Sequence, residues 1–136
     1  RYGDGVVSNH NQNKIPSINS KSLFKIREKV REHKVLFINE GQFFDDLYDF
    51  VNDMLSVDKI VFVCGLDGDY QRKKFGSILD IIPLADEVVK VNGICNHCKK
   101  RKSLFTHRII KEGGQIVIGN DNIYMALCRP CYRLLN

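Results

Sequence analysis

Four of the five cysteines fall into two identically spaced pairs, Cys95 with Cys98 and Cys128 with Cys131. A C-x-x-C pair on a tight turn aims two thiolates at one point. Two such pairs supply the tetrahedral sulfur shell that zinc prefers, with Zn–S of about 2.3 Å. A shell filled by protein leaves no position for a catalytic water, so the predicted ion is structural and ties together two distant stretches of a small lobe. Two disulfides or an iron–sulfur cluster are the alternatives, and the spacing favours zinc. His97 and His107 are further candidate ligands, but four sulfurs already complete the shell and neither is expected to bind metal. Cys64 ends the apolar run Ile60-Val61-Phe62-Val63-Cys64 and is expected to be a buried small hydrophobe.

A second chemical candidate is Glu40, in the polar stretch Asn39-Glu40-Gly41-Gln42 that follows four consecutive apolar residues, Val35-Leu36-Phe37-Ile38. A carboxylate at the mouth of a buried strand is placed to accept a proton or to help organise a metal. The competing reading is a solvated loop acid. The stretch Tyr70-Gln71-Arg72-Lys73-Lys74-Phe75-Gly76 mixes aromatics with cations. That mixture suits stacking a base and neutralising phosphate, or binding RNA, or a plain charged turn, and the pattern alone does not separate these.

The elements that must position these residues follow from composition and periodicity. The 136 residues are 43% apolar and 27% charged, as in a folded soluble domain rather than a disordered or fibrous chain. Twenty-one basic against sixteen acidic side chains give +5, compatible with phosphate ligands or nucleic acid. No apolar run approaches the roughly 18–20 residues of a membrane span, so none is expected. Residues 1–20, with Gly3, Gly5, Pro16 and many Asn and Ser, are expected to be loop. Leu23, Ile26, Arg27 and Val30 recur at helical spacing behind Ser20 as N-cap, predicting a helix that stops near His33. A strand over Val35–Ile38 leads to a second helix with Phe44, Leu47, Tyr48, Val51, Met54 and Leu55 on one face. A strand over 60–64 then ends in Gly65-Leu66-Asp67-Gly68. Helix, strand, helix, strand with continuously apolar strands predicts an α/β fold whose parallel sheet is covered on both faces. Ligands then bind beyond the strand ends, at 39–42 and 65–68. Ser103-Leu104-Phe105-Thr106 and Gln115-Ile116-Val117-Ile118, around Lys111-Glu112-Gly113-Gly114, predict a hairpin. The expected division is a core over 1–92 and a metal-tethered β lobe over 93–136.

Glu40-Gly41-Gln42-Phe43-Phe44, Leu66-Asp67-Gly68-Asp69-Tyr70-Gln71-Arg72-Lys73-Lys74-Phe75-Gly76, and the two C-x-x-C pairs with Tyr124 just ahead of the second occur in this order. Together they strongly resemble the type II thymidine kinases. The resemblance implies a P-loop kinase-like parallel sheet core, N-terminally incomplete here, with a small zinc-binding β lobe, the lasso, acting as a lid. It implies transfer of the γ-phosphoryl of ATP, with magnesium, to the 5′-hydroxyl of thymidine, in a cytoplasmic homotetramer. Under it, Glu40 matches the general base. Arg1 matches an arginine near the phosphates, and Asn39, Glu40, Gly41 and Gln42 match a stretch on the ATP side. Tyr70 takes the place of an aromatic, usually Phe, that packs on the nucleoside, while Phe43, Leu66 and Phe75 match pocket wall. Thr106 matches a residue near the thymine methyl. Gln115, Ile116, Val117, Ile118 and Gly119 match the lasso segment whose backbone reads the thymine edge, and Tyr124 matches a substrate-contacting tyrosine.

Three departures accompany the match. The phosphate loop G-x-x-x-x-G-K-[ST] is not in these residues, and the family carries it upstream of the position that Arg1 matches, so an N-terminally truncated chain is expected. The family's metal-associated Asp before the catalytic Glu is Asn39, a weaker, neutral ligand for magnesium. Asn122 stands where an acid is usual, beside Asp121. These departures leave a nonenzymatic nucleoside-binding or regulatory relative as one alternative. A zinc-ribbon nucleic-acid binder using Lys99-Lys100-Arg101-Lys102 is another, though no nucleic-acid partner is expected.

Overall fold

The computed structural model describes residues 5–8, 14–110, 113–114, 117 and 123–136. The chain divides into two compact units, Arg1–Gly65 and Leu66–Asn136. Arg1, Gln115, Ile116, Ile118, Gly119, Asp121 and Asn122, all singled out in the sequence, lie outside the described residues.

In the first unit, strands β1 (Val6–Ser8) and β2 (Lys14–Pro16) pair antiparallel where only loop was expected. The helix expected behind Ser20 is instead two 3-10 turns, Phe24–Ile26 and Glu28–Val30. Tertiary partners shape it: the Asp46 carboxylate accepts from Ser22 Oγ (2.7 Å) and Phe24 N (3.1 Å), taking the capping role assigned to Ser20. At the far end, Lys59 Nζ donates to the carbonyls of Arg31 (2.8 Å) and His33 (2.7 Å). Strand β3 (Val35–Ile38), helix α1 (Leu47–Ser56) and strand β4 (Ile60–Val63) follow as expected. β3 and β4 are parallel, in register from Val35 opposite Ile60 to Ile38 opposite Val63.

The sheet is not covered on both faces. Leu36 and Ile38 are buried, but Val35, Phe37, Ile60 and Phe62 are exposed, Phe37 to 77%. Phe37 and Phe62 instead stack across the strands, ring centroids 4.8 Å apart and planes nearly parallel. A continuous apolar run does not distinguish one covered face from two. Helix α1 buries Leu47, Phe50, Val51 and Met54. Tyr48, expected on that face, is exposed, and Phe50 takes its place with an edge-on contact to Phe24. Cys64 is exposed rather than buried, its thiol directed to Asn39 Oδ1 (3.2 Å).

In the second unit, strand β5 (Phe105–Arg108) pairs antiparallel with β6 (Tyr124–Leu127), which leads into helix α2 (Arg129–Leu135). The predicted second strand of the hairpin, 115–118, lies outside the described residues apart from Val117. The core is the cysteine cluster itself: Cys95, Leu127, Cys128, Cys131 and Tyr132, with Cys98, Phe105 and Met125 packed against it. Among the described residues, no helix is long and apolar enough to cross a membrane.

Candidate functional site

Local backbone geometry brings the four thiols together. Cys95, Cys98 and Lys99 form a closed turn: Cys95 N donates to Arg101 O (2.8 Å), and Lys99 N donates to Cys95 O (2.9 Å). Lys99 adopts the left-handed conformation (φ 53°) that such a turn requires. The second pair sits where β6 becomes α2: Cys128 is extended, Pro130 fits the first turn, and Tyr132 N donates to Cys128 O (2.8 Å). Asn96 stitches the two turns together, its side-chain Oδ1 accepting from Ala126 N (3.1 Å) while its main-chain N–H donates to Ala126 O (2.8 Å).

All four sulfurs lie within 4.8 Å of one another. Cys98 and Cys128 are 3.9 Å apart. That is far beyond a disulfide bond of about 2.05 Å, and close to the roughly 3.8 Å edge of a tetrahedron built on 2.3 Å metal–sulfur bonds. All five cysteines are free thiols. Burial pushes the Cys95 thiol up, but the main-chain N–H groups of Cys128, Cys98 and His97 outweigh it and leave it lowered to about 6. The N–H groups of Lys100 and Arg101 likewise lower Cys98. Cys131 is raised to about 12, first by its hydrogen bond with Cys128, then by burial and the other sulfurs. Negative charge is thus invited onto the cluster and then resisted by its own accumulation. A cation at the centre resolves that conflict, so the donor set fits a thiophilic metal ion. The basic run is absorbed here through its main chain, while its side chains remain in solvent.

The other predicted residues divide between the two units. In the first, Glu40 ends β3 in the left-handed conformation (φ 56°), uncommon for a residue with a side chain. Its half-buried carboxylate accepts a hydrogen bond from the buried Gln42 (Nε2 to Oε2, 2.7 Å). Gly41 N donates to Cys64 O (2.9 Å), hanging the turn on the end of β4. Asn39 and Phe43 are exposed and Gly41 is buried.

In the second unit, Leu66 is exposed, Phe75 buried and Tyr70 half-buried. The buried carboxylate of Asp69 shapes their loop, its Oδ1 accepting from Gln71 N (2.8 Å) and Lys73 N (2.9 Å). Tyr132 Oη donates to Tyr70 O (2.6 Å), joining this loop to the cysteine core. Thr106 lies in β5. Tyr124 in β6 donates from its hydroxyl to Val117 O (2.8 Å) and accepts from Val117 N (3.3 Å). An open cleft of about 390 Å³ is lined by Tyr70, Gln71, His107, Arg108 and Asn136 among others. Of the predicted substrate residues it gathers only Tyr70. Asp69, Arg108 and Tyr132 were missed in the sequence. The one available signal was the Asp-Gly-Asp turn composition around Asp69.

The family model described as "Thymidine kinase" matches residues 1–132. A thymidine kinase of Sheeppox virus (strain KS-1) is 37% identical over 134 residues, covering 98% of this chain and 75% of that protein. Thymidine kinases of Vaccinia virus (strain Western Reserve) and Monkeypox virus are 39% and 38% identical over 132 residues, each covering 97% of this chain and 73% of the relative.

Proposed function

The chain belongs to the thymidine kinase family, and from that premise we propose how its residues serve phosphorylation of thymidine, with Glu40 as the general base. It is an ATP-dependent kinase that transfers a phosphoryl group to thymidine. The observation that carries the assignment of the base is the conformation of Glu40. A side chain in the left-handed region costs on the order of 1–2 kcal/mol. That cost is accepted just beyond the carboxyl end of a parallel strand, where Gln42 holds one carboxylate oxygen. The other oxygen is then oriented to take the proton of the 5′-hydroxyl as the γ-phosphoryl moves onto it.

Arg1, Asn39, Gly41 and Gln42 serve the ATP side within a P-loop-type core. Asn39 offers only a neutral amide oxygen to the magnesium that accompanies ATP. Tyr70 packs on the nucleoside, Phe43, Leu66 and Phe75 wall the pocket, and Thr106 lies near the thymine methyl. A neutral pyrimidine gives little charge to grip, so its recognition falls to aromatic packing and to fixed main-chain groups, which residues 115–119 and Tyr124 supply. Cys95, Cys98, Cys128 and Cys131 would hold a structural zinc ion, whose contribution is to fix the lasso over 93–136. The working form is a cytoplasmic homotetramer.

Glu40→Gln tests the reading. It keeps the hydrogen bond to Gln42 within reach and removes the base, so kcat should fall by roughly 10²–10⁴-fold with thymidine affinity nearly unchanged. An unchanged kcat removes Glu40 from the chemistry.

A further inference from the structure

Arg108 is 6% exposed, and among the described residues no carboxylate pairs with it. Its guanidinium collects carbonyl oxygens instead: Nε donates to Ile110 O (3.1 Å), Nη1 to Gly114 O (2.5 Å) and Nη2 to Gly113 O (3.1 Å). The same planar group lies 3.7 Å from the centroid of the Tyr70 ring. It therefore covers one face of that ring in the closest of the cation–π contacts. Two of the carbonyls it holds belong to Gly113 and Gly114. Gly113 is left-handed (φ 101°), and a Cβ on it would come within 2.8 Å of a Val117 methyl. Val117 is in turn held at both main-chain groups by the Tyr124 hydroxyl. Gly113 and Gly114 are thus held from β5 by Arg108, and Val117 from β6 by Tyr124.

We infer that Arg108 is a positioning residue for nucleoside recognition, one guanidinium setting both the plane of the Tyr70 ring and the Gly113–Gly114 main chain that lies against Val117. The inference rests on the assignment of Tyr70 and Val117 to the nucleoside. It adds a residue that acts through the two assigned to recognition. Lysine cannot replace it, because an ammonium keeps the charge but neither spans three carbonyls in one plane nor stacks flat on a ring.

The test is steady-state kinetics of the full-length enzyme with Arg108→Lys, Arg108→Gln and Tyr70→Leu, singly and as the Arg108→Lys/Tyr70→Leu double variant. Arg108→Lys should raise the thymidine KM by roughly tenfold while the ATP KM stays put. In the Tyr70→Leu background the same change should cost clearly less, because part of its effect passes through the ring. If Tyr70→Leu raises the thymidine KM but neither Arg108 variant does, the inference fails and the nucleoside assignment stands. If Tyr70→Leu itself leaves the thymidine KM unchanged, the assignment fails and the inference falls with it. A loss of kcat with every KM unchanged in both Arg108 variants would mark a purely structural arginine and overturn the proposal, as would strict additivity in the double variant.

Discussion

Two turns carry the candidate chemistry, and each contains a non-glycine residue in left-handed conformation, Glu40 at φ 56° and Lys99 at φ 53°. At Lys99 the strained backbone works for its neighbours. It brings the main-chain N–H groups of Lys100 and Arg101 onto the Cys98 sulfur, while the lysine side chain stands in solvent. At Glu40 the strained residue is itself the proposed base, and the turn around it is held by main-chain bonds from Gly41 to Cys64 and from Phe43 to Glu40 and by the side-chain bond from Gln42. A structural turn thus hides its chemistry inside its own core, where sulfurs are buried among Leu127 and Tyr132. The turn of the proposed base leaves its acid half-buried. The same backbone device serves stability in one case and presentation in the other.

The sharpest way to break that contrast is to remove a sulfur. Cys131→Ser should abolish metal retention and unfold residues 66–136, because structural zinc contributes on the order of 10–16 kcal/mol, comparable with or above the roughly 5–15 kcal/mol that holds a domain together. Metal-to-protein stoichiometry and hydrogen exchange across that unit would read it, and a folded, metal-free variant would deny the cluster its structural role. Next in size is Glu40→Gly. Turnover should drop by roughly 10²–10⁴-fold, yet Tm should rise, since glycine relieves the left-handed strain. A variant equally inactive but less stable would mean that the turn needs its carboxylate to fold.

How much of this was legible in the sequence depended on whether a pattern had one physical solution. Two C-x-x-C pairs have few, and all four cysteines converge. The runs at β3 and β4 were legible as parallel strands, and the face-periodic residues of 47–56 as a helix. The same runs could not reveal that only one face is covered, because Val35 and Phe37 are as apolar as Leu36 and Ile38. The 3-10 turns at 24–30 escaped because their shape is set by Asp46 and Lys59, far along the chain. The pairing of β5 with Tyr124–Leu127 escaped for a related reason, since it is set beside the second cysteine pair, far along the chain. Arg108 had no signal at all, since its partners are carbonyl oxygens and a ring rather than acids at a readable spacing.

The smallest expected effect is the most discriminating one. Lys99→Gly makes at the metal turn the substitution that Glu40→Gly makes at the acid turn, with the same backbone relief. The gain should be about 0.5–1 kcal/mol, because glycine removes the side-chain clash of the left-handed region and loses somewhat more entropy on ordering. That corresponds to a Tm increase of a few degrees. Metal content and thymidine turnover should not change, since the bonds that close the turn, Lys99 N to Cys95 O and Cys95 N to Arg101 O, are main-chain and survive the substitution. If turnover falls with stability intact, the Lys99 side chain belongs to the phosphate-binding apparatus, and the exposed basic run 99–102 has a catalytic partner after all. If instead Lys99→Gly raises stability and leaves turnover alone while Glu40→Gly raises stability and removes it, then the two left-handed residues differ only in what their side chains do.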